Sequence, residues 1–255
     1  VGAFLGACAF VAACSSILDV ENPNNVPEDA LDNPASAAAQ VAGVAGATVR
    51  GLSGITTPYS VATDELDWIG SRDAWRELET GTVANHFNEF TDQAFPFIAE
   101  ARFLGDQAIA NLVRFDTDPA FSTSRPPRFL LARAYLYTAI VYASIADMYD
   151  DYAFSSKRDA KAAIGRANMG RLYDTAVVYL DRANTIANSA TGADFVALRY
   201  PIMAYRARVK HGKAVWASIT PELAPGVNRT VTLINDAGAN ADASAALALS
   251  TAADA

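Results

Sequence analysis

From Arg128 to Tyr152 the chain leaves hardly any polar face: Phe129-Leu130-Leu131, Ala134 to Tyr137, Ile140 to Ala143 and Ile145 cover all sides of a helix. A helix that is apolar all round belongs either at the centre of a bundle or inside a membrane. Arg133 lies within the run and Asp147, Asp150 and Asp151 close it, so the apolar length falls slightly short of a comfortable span. A central position in a folded core is the expectation, and the remaining segments must pack around it.

Those segments are helical by period. Between Phe87 and Phe115, apolar residues recur every three or four positions, at Phe90, Ala94, Phe97, Ile98, Ala101, Leu104, Ala108, Ile109 and Leu112. Pro96 should start or kink that helix. Asp116 to Pro127 is a polar, Pro-bearing connection. Met169 to Ala190 repeats the pattern, and so does Phe195 to Ile219, whose start Pro201 should restrict to about its own position. Upstream, Asn33-Pro34 offers a cap and a first-turn proline for a helix reaching about Val49. Residues 51–84, with Gly51, Gly54, Pro58, Gly70 and Gly81, read as loop-rich with at most short helices. No stretch alternates convincingly enough for a sheet, so the fold class is all-α. The echo of Val141-Tyr142-Ala143-Ser144-Ile145 in Val215-Trp216-Ala217-Ser218-Ile219 is compatible with stacked helical hairpins, although five residues do not make a repeat. Residues 221–255 offer few apolar anchors beyond Val227 to Ile234 and read as a loop or mobile tail, as in a chain cut short.

Composition narrows the function. Hydrophobic residues make up 51% of the chain and charged ones 19%, too apolar for disorder. The net charge of -8, without a run of Lys or Arg, argues against nucleic acid as a partner. Two cysteines, Cys8 and Cys14, rule out a disulfide framework, and His86 and His211 stand apart without a local Cys, so neither a metal site nor a cofactor is expected. Both cysteines sit at the start. Val1 to Ala13 is uncharged and apolar, of the length of a signal-peptide core. It runs into Val11-Ala12-Ala13-Cys14-Ser15-Ser16, which resembles a bacterial lipobox and makes Cys14 the preferred lipidation site; Leu5-Gly6-Ala7-Cys8 is a second match that the sequence alone leaves open. The expected organisation is a signal-peptide core at 1–13, a lipid-anchored linker at 14–32, a helical domain at 33–220 and the tail at 221–255.

The order of pieces then acquires meaning. After the lipobox come Leu18-Asp19-Val20-Glu21-Asn22-Pro23, Ala62-Thr63-Asp64-Glu65-Leu66, Glu100-Ala101-Arg102-Phe103-Leu104, the run from Leu131-Ala132-Arg133-Ala134-Tyr135-Leu136 to Met148-Tyr149, and Leu172-Tyr173-Asp174-Thr175-Ala176. Over residues 14–220 this resembles the SusD/RagB family of nutrient-binding outer-membrane lipoproteins. The resemblance implies tetratricopeptide-like stacked hairpins behind a loop-rich N-terminal region. It also implies a lipid anchor on the outer membrane, at the cell surface or periplasmic face, and capture of a glycan or other nutrient oligomer for a TonB-dependent transporter.

A sugar-binding reading has raw material in the chain itself. Sugar rings present C–H faces that stack on aromatic side chains while rim polar groups bond hydroxyls. Tyr59, Trp68 and Trp75, with Asp64 and Glu65 and the neighbouring Asp67 and Arg72, supply both kinds of group; the plainer use of the tryptophans is to plug the loops onto the helices. Asp64 with Glu65, or Asp150 with Asp151, would suggest glycoside hydrolysis, but adjacent residues do not face each other on a helix. No Gly-x-Ser-x-Gly elbow or phosphate loop occurs. Tyr137, Tyr142, Tyr149 and Tyr152 read as core, and Arg206, Arg208, Lys210, His211 and Lys213 as a solvated face. The expectation is a binding lipoprotein that is not an enzyme, with a helical scaffold for protein assembly as the alternative.

Overall fold

A computed structural model describes residues 28–82, 85, 87–156, 158–219 and 233–253. Cys8, Cys14, most of the 14–32 linker and His86 lie outside them. Among the described residues there are seven α-helices and no strand: α1 (Ala37–Ala62), α2 (Asp73–Glu79), α3 (Glu89–Thr117), α4 (Arg128–Met148), α5 (Arg171–Ala187), α6 (Ala193–Ile219) and α7 (Ala237–Ala253). The chain is all-α, as its periodicity requires.

The long helices run up and down. Gln40 of α1 meets Asn111 of α3 while Gly51 meets Ile98, so these two are antiparallel. Asp106 of α3 receives the Tyr142 hydroxyl of α4, Tyr179 of α5 lies against Tyr142, and Trp216 at the end of α6 covers Gly170 just before α5. Each successive long helix therefore reverses, and α1, α4 and α6 point the same way. The packed pairs are α1 with α3, α4 with α5 and α6 with α7, and α4 also lies against α1, α3 and α6. That is the central position expected for the apolar segment: 83% of its most apolar window is inside the protein. Tyr142 and Tyr152 are core, whereas Tyr137 and Tyr149 are only partly covered.

Three sequence-based boundaries move, each because packing outweighs local propensity. The first helix does not stop near Val49 but continues through residues expected to be loop-rich as far as Ala62. Its glycines serve close approach instead of turning: a Cβ on Gly51 would stand 3.2 Å from Ile98 Cα, and one on Gly54 would stand 3.1 Å from the Phe97 ring. The propensity cost of about 1 kcal/mol per glycine is offset by helix α3 lying directly on them. The Asn33 side chain accepts from the Ala35 amide at 2.9 Å, but it caps a 3-10 turn, Pro34–Ser36, that leads into α1 and not α1 itself. Helix α3 begins at Glu89, capped by Asn88, not at Pro96, and α6 begins at Ala193, not at Pro201. Each proline removes one backbone bond but sits in a helix whose neighbours, Ala94 and Ile98 or Leu198 and Ile202, are buried.

The tail is the largest correction. Residues 220–232 lie outside the described part, but Ala237–Ala253 form a helix on α6 where mobility was expected. Apolar anchors are indeed few; an ionic clamp takes their place. Asp242, 4% exposed, accepts Arg206 Nε at 2.8 Å and Nη2 at 2.6 Å, and lies 2.6 Å from Lys210 Nζ. The basic side chains of α6 are thus not simply a solvated face: Arg208 pairs with Asp147 at 2.6 Å and Lys213 pairs with Asp174, while His211 is exposed.

The closest approach of α3 to α4 is at Gly105. An added Cβ would stand 2.5 Å from Thr138 Oγ1 and 2.9 Å from its Cγ2. Thr138 is fully buried and its hydroxyl donates to the Ala134 carbonyl at 2.7 Å, so it has little freedom to turn away. Gly105→Ala is expected to lower unfolding free energy in urea by about 1–3 kcal/mol, and Thr138→Ala in that background to restore part of it. Unchanged stability in the single variant would mean that the helices are further apart than described.

Candidate functional site

Because α1 and α4 are parallel, their C-terminal ends meet, and the start of α3 returns between them. On α1, Ile55, Pro58, Tyr59 and Ala62 share one face by their spacing. With Thr63, Leu78 of α2, Thr91 and Ala94 of α3, and Met148, Tyr149 and Asp150 at the end of α4, they line an open groove of about 760 Å³. This volume is ordinary for a small-molecule site.

The walls are mainly apolar and the polar groups are few. The Tyr59 side chain is 43% exposed, so its ring is available as a face for stacking. Tyr149 leaves the helix with extended backbone (φ -123°, ψ 141°), and its ring meets Phe95 and Tyr152 edge-on at 6.1 and 6.3 Å. Its hydroxyl is buried and has no hydrogen-bond partner among the described residues. Burial, with the nearby Tyr152, pushes its ionisation above the ordinary tyrosine range, so it remains a neutral donor and acceptor. A buried hydroxyl left without a partner costs free energy, and a ligand hydroxyl would reach it only on rotation of the Tyr149 ring toward the groove.

The outer wall is held from behind. Asn88 caps α3 through the Phe90 amide and donates to the Ala74 carbonyl at 2.7 Å, tying α2 to the start of α3 and burying Leu78. Trp75 stacks on Phe90 with ring centroids 3.9 Å apart, Trp68 stacks on Trp75 at 5.5 Å, and Arg72 lies over Phe90 while pairing with Glu89. Of the residues singled out by sequence, only Tyr59 lines the groove; Trp68 and Trp75 form this stack outside its lining. Asp64 turns the chain at φ 59°, and Glu65 accepts from the Ser60 hydroxyl at 3.3 Å.

Sequence reasoning passed over Leu78, Thr91 and Met148, took Tyr149 for core, and met Asp150 only as half of an acidic pair. The pair is divided in the structure: Asp151 accepts the Tyr152 and Gly165 amides, each at 2.8 Å, to hold the loop after α4, whereas Asp150 borders the groove. The signal that would have found Tyr149 and Asp150 is the parallel course of α1 and α4, which brings the two helix ends side by side.

A second polar cluster lies along α3 and α4. Arg102, 6% exposed, reaches Asp106 at 3.3 Å and the Ser155 carbonyl, and Asp106 accepts the Tyr142 hydroxyl at 3.0 Å. Burial raises the Asp106 carboxyl above the ordinary aspartate range despite the opposing pull of Arg102 and Tyr142. Burial first, then the Asp106 charge, pushes the Tyr142 phenol up as well. These groups bond one another, all but the Arg102 Nε, and join α3, α4 and the following loop, which is a structural lock. Among the described residues no three His, Cys, Asp or Glu side chains gather to hold a metal ion.

Comparison with protein-family models, with curated proteins and with solved structures finds no match to this chain.

Proposed function

We propose that the protein is a lipid-anchored binding protein of the outer membrane that captures a nutrient oligomer, a glycan above all, in the groove between α1 and α4. It would present the ligand to a TonB-dependent transporter. The observation that carries the capture step is the groove itself: an apolar trough with one exposed aromatic residue, Tyr59, and polar groups in its lining, Thr63, Thr91 and Asp150. A flat apolar body with hydroxyls at its edge fits that combination. The succession of antiparallel helix pairs supports the hairpin-stack part of the SusD/RagB resemblance. The anchor at Cys14 and the transporter rest on the sequence and that resemblance.

Calorimetric titration with neutral oligosaccharides and short peptides tests the reading. A saccharide is expected to bind, and Tyr59→Ala to weaken it about ten-fold, the loss of one well-packed aromatic contact. Trp75→Ala, which touches only the back of the wall, should cost less. Failure of every oligomer to bind would remove the proposal. The scaffold reading is favoured by the exposed apolar side chains Leu66, Ile69 and Phe87 on the connection between α1 and α3, which suit a protein surface. A stable partner other than a transporter, recovered with the native protein and lost on Ile69→Asp, would favour it.

A further inference from the structure

The charge around the groove is one-sided. Between Asp64 and Asp92 eight carboxylates accompany only two arginines, so this connection holds a net charge of -6 out of the chain's -8. Arg72 is committed to Glu89 and Arg76 to Asp73, and on the neighbouring helices Arg208 is committed to Asp147 and Arg50 to Glu100. No Lys or Arg is among the lining residues. One carboxylate, Asp150, stands in the lining, and no salt bridge to it is found among the described residues. Asp150 follows the end of α4 and borders an apolar floor made of Ile55, Pro58, Leu78 and Met148.

We infer that the groove selects its ligand by charge, taking an amine-bearing oligomer, of which an amino-sugar oligosaccharide is the fitting type, and rejecting acidic ones. This rests on the capture reading and adds a specificity to it. An ammonium group beside Asp150 gains Coulomb energy, while a ligand carboxylate would meet that charge and the acidic connection with no compensating cation in the lining. The apolar floor serves the ring faces equally for all ligands, so it contributes affinity but no choice among them.

The test uses three β-1,4-linked tetramers of the same length, titrated at mildly acidic pH and low salt: cellotetraose, the glucosamine tetramer with its amines protonated, and the glucuronate tetramer. The glucosamine tetramer should bind about five-fold tighter than cellotetraose, the worth of one semi-exposed charge pair, and the glucuronate tetramer should not bind. Asp150→Asn should bring the first two within about two-fold of each other, and raised salt should do the same. Equal binding of glucosamine tetramer and cellotetraose, or binding of the glucuronate tetramer, overturns the charge selection and leaves the capture reading standing. Binding of none of the three overturns both.

Discussion

Asp106→Ala is expected to cost about 3 kcal/mol of unfolding free energy, among the largest effects of any single polar substitution in this chain. Arg102 is almost wholly inside, stacked over Phe154 at 5.5 Å, and Asp106 is the carboxylate that balances it. Without that partner a guanidinium remains buried with no carboxylate among the described residues to balance it. Replacing both members, Arg102→Met with Asp106→Leu, should recover most of the loss, because two apolar side chains carry no desolvation penalty and the Arg102 Nε already lacks a partner. Urea unfolding of the single and double variants at neutral pH reads both values. A loss below about 1 kcal/mol in the single variant would mean that the pair behaves as an exposed one.

Asp242→Ala should release α7. The helix packs on α6, and its buried carboxylate holds two cations at once, so its removal is expected to lower local stability by about 2 kcal/mol. Backbone amides of Ala239 to Ser250 would then exchange roughly 30-fold faster than in the unaltered protein, while those of α4 would not change. Equal exchange in the two proteins would show that the clamp does not hold the helix. The pH dependence has a definite sign. Burial alone would raise the Asp242 pKa, but hydrogen bonds from Arg206 and Lys210 outweigh it and hold the carboxyl below its ordinary value. Its contribution is therefore complete above the unfolded-chain value, about 3.9, and is lost as pH falls through the folded value. Asp106 is opposite: its folded pKa is raised, so the folded state holds that proton more tightly and this group's penalty disappears as pH falls. Acid should accordingly free α7 before it loosens the α3–α4 core, and Asp242→Asn should abolish the early step.

Much of this architecture is visible in the residue pattern. The apolar run of α4, the three-and-four spacing of α3 and α5, and the Asn33-Pro34 start are all local signals, and local signals specify a helix and its buried face. Glycine and proline misled where they were read as local punctuation. Gly51 and Gly54 lie against Ile98 and Phe97, partners more than forty positions away, and a close interhelical contact gives no sign of itself in the flanking residues. The helix at 237–253 escaped for a related reason: it is anchored by one aspartate to two cations on another element, and neither hydropathy nor period registers such a bond.

The candidate site divides along the same line. Tyr59 is recognisable as an aromatic near polar neighbours, but Tyr149 and Asp150 become groove residues only because α1 and α4 run parallel and end at the same level. Trp68 and Trp75 look equally suited to a sugar in the sequence; in the structure their faces are taken up in a stack with Phe90. The amino-acid order by itself determined that the chain forms amphipathic helices about one fully apolar helix, since side-chain period and hydrophobicity act over a few turns. Which helix ends meet, which charges pair and which aromatic face stays open were decided by tertiary packing alone, because those depend on contacts between segments whose separation along the chain leaves no local trace.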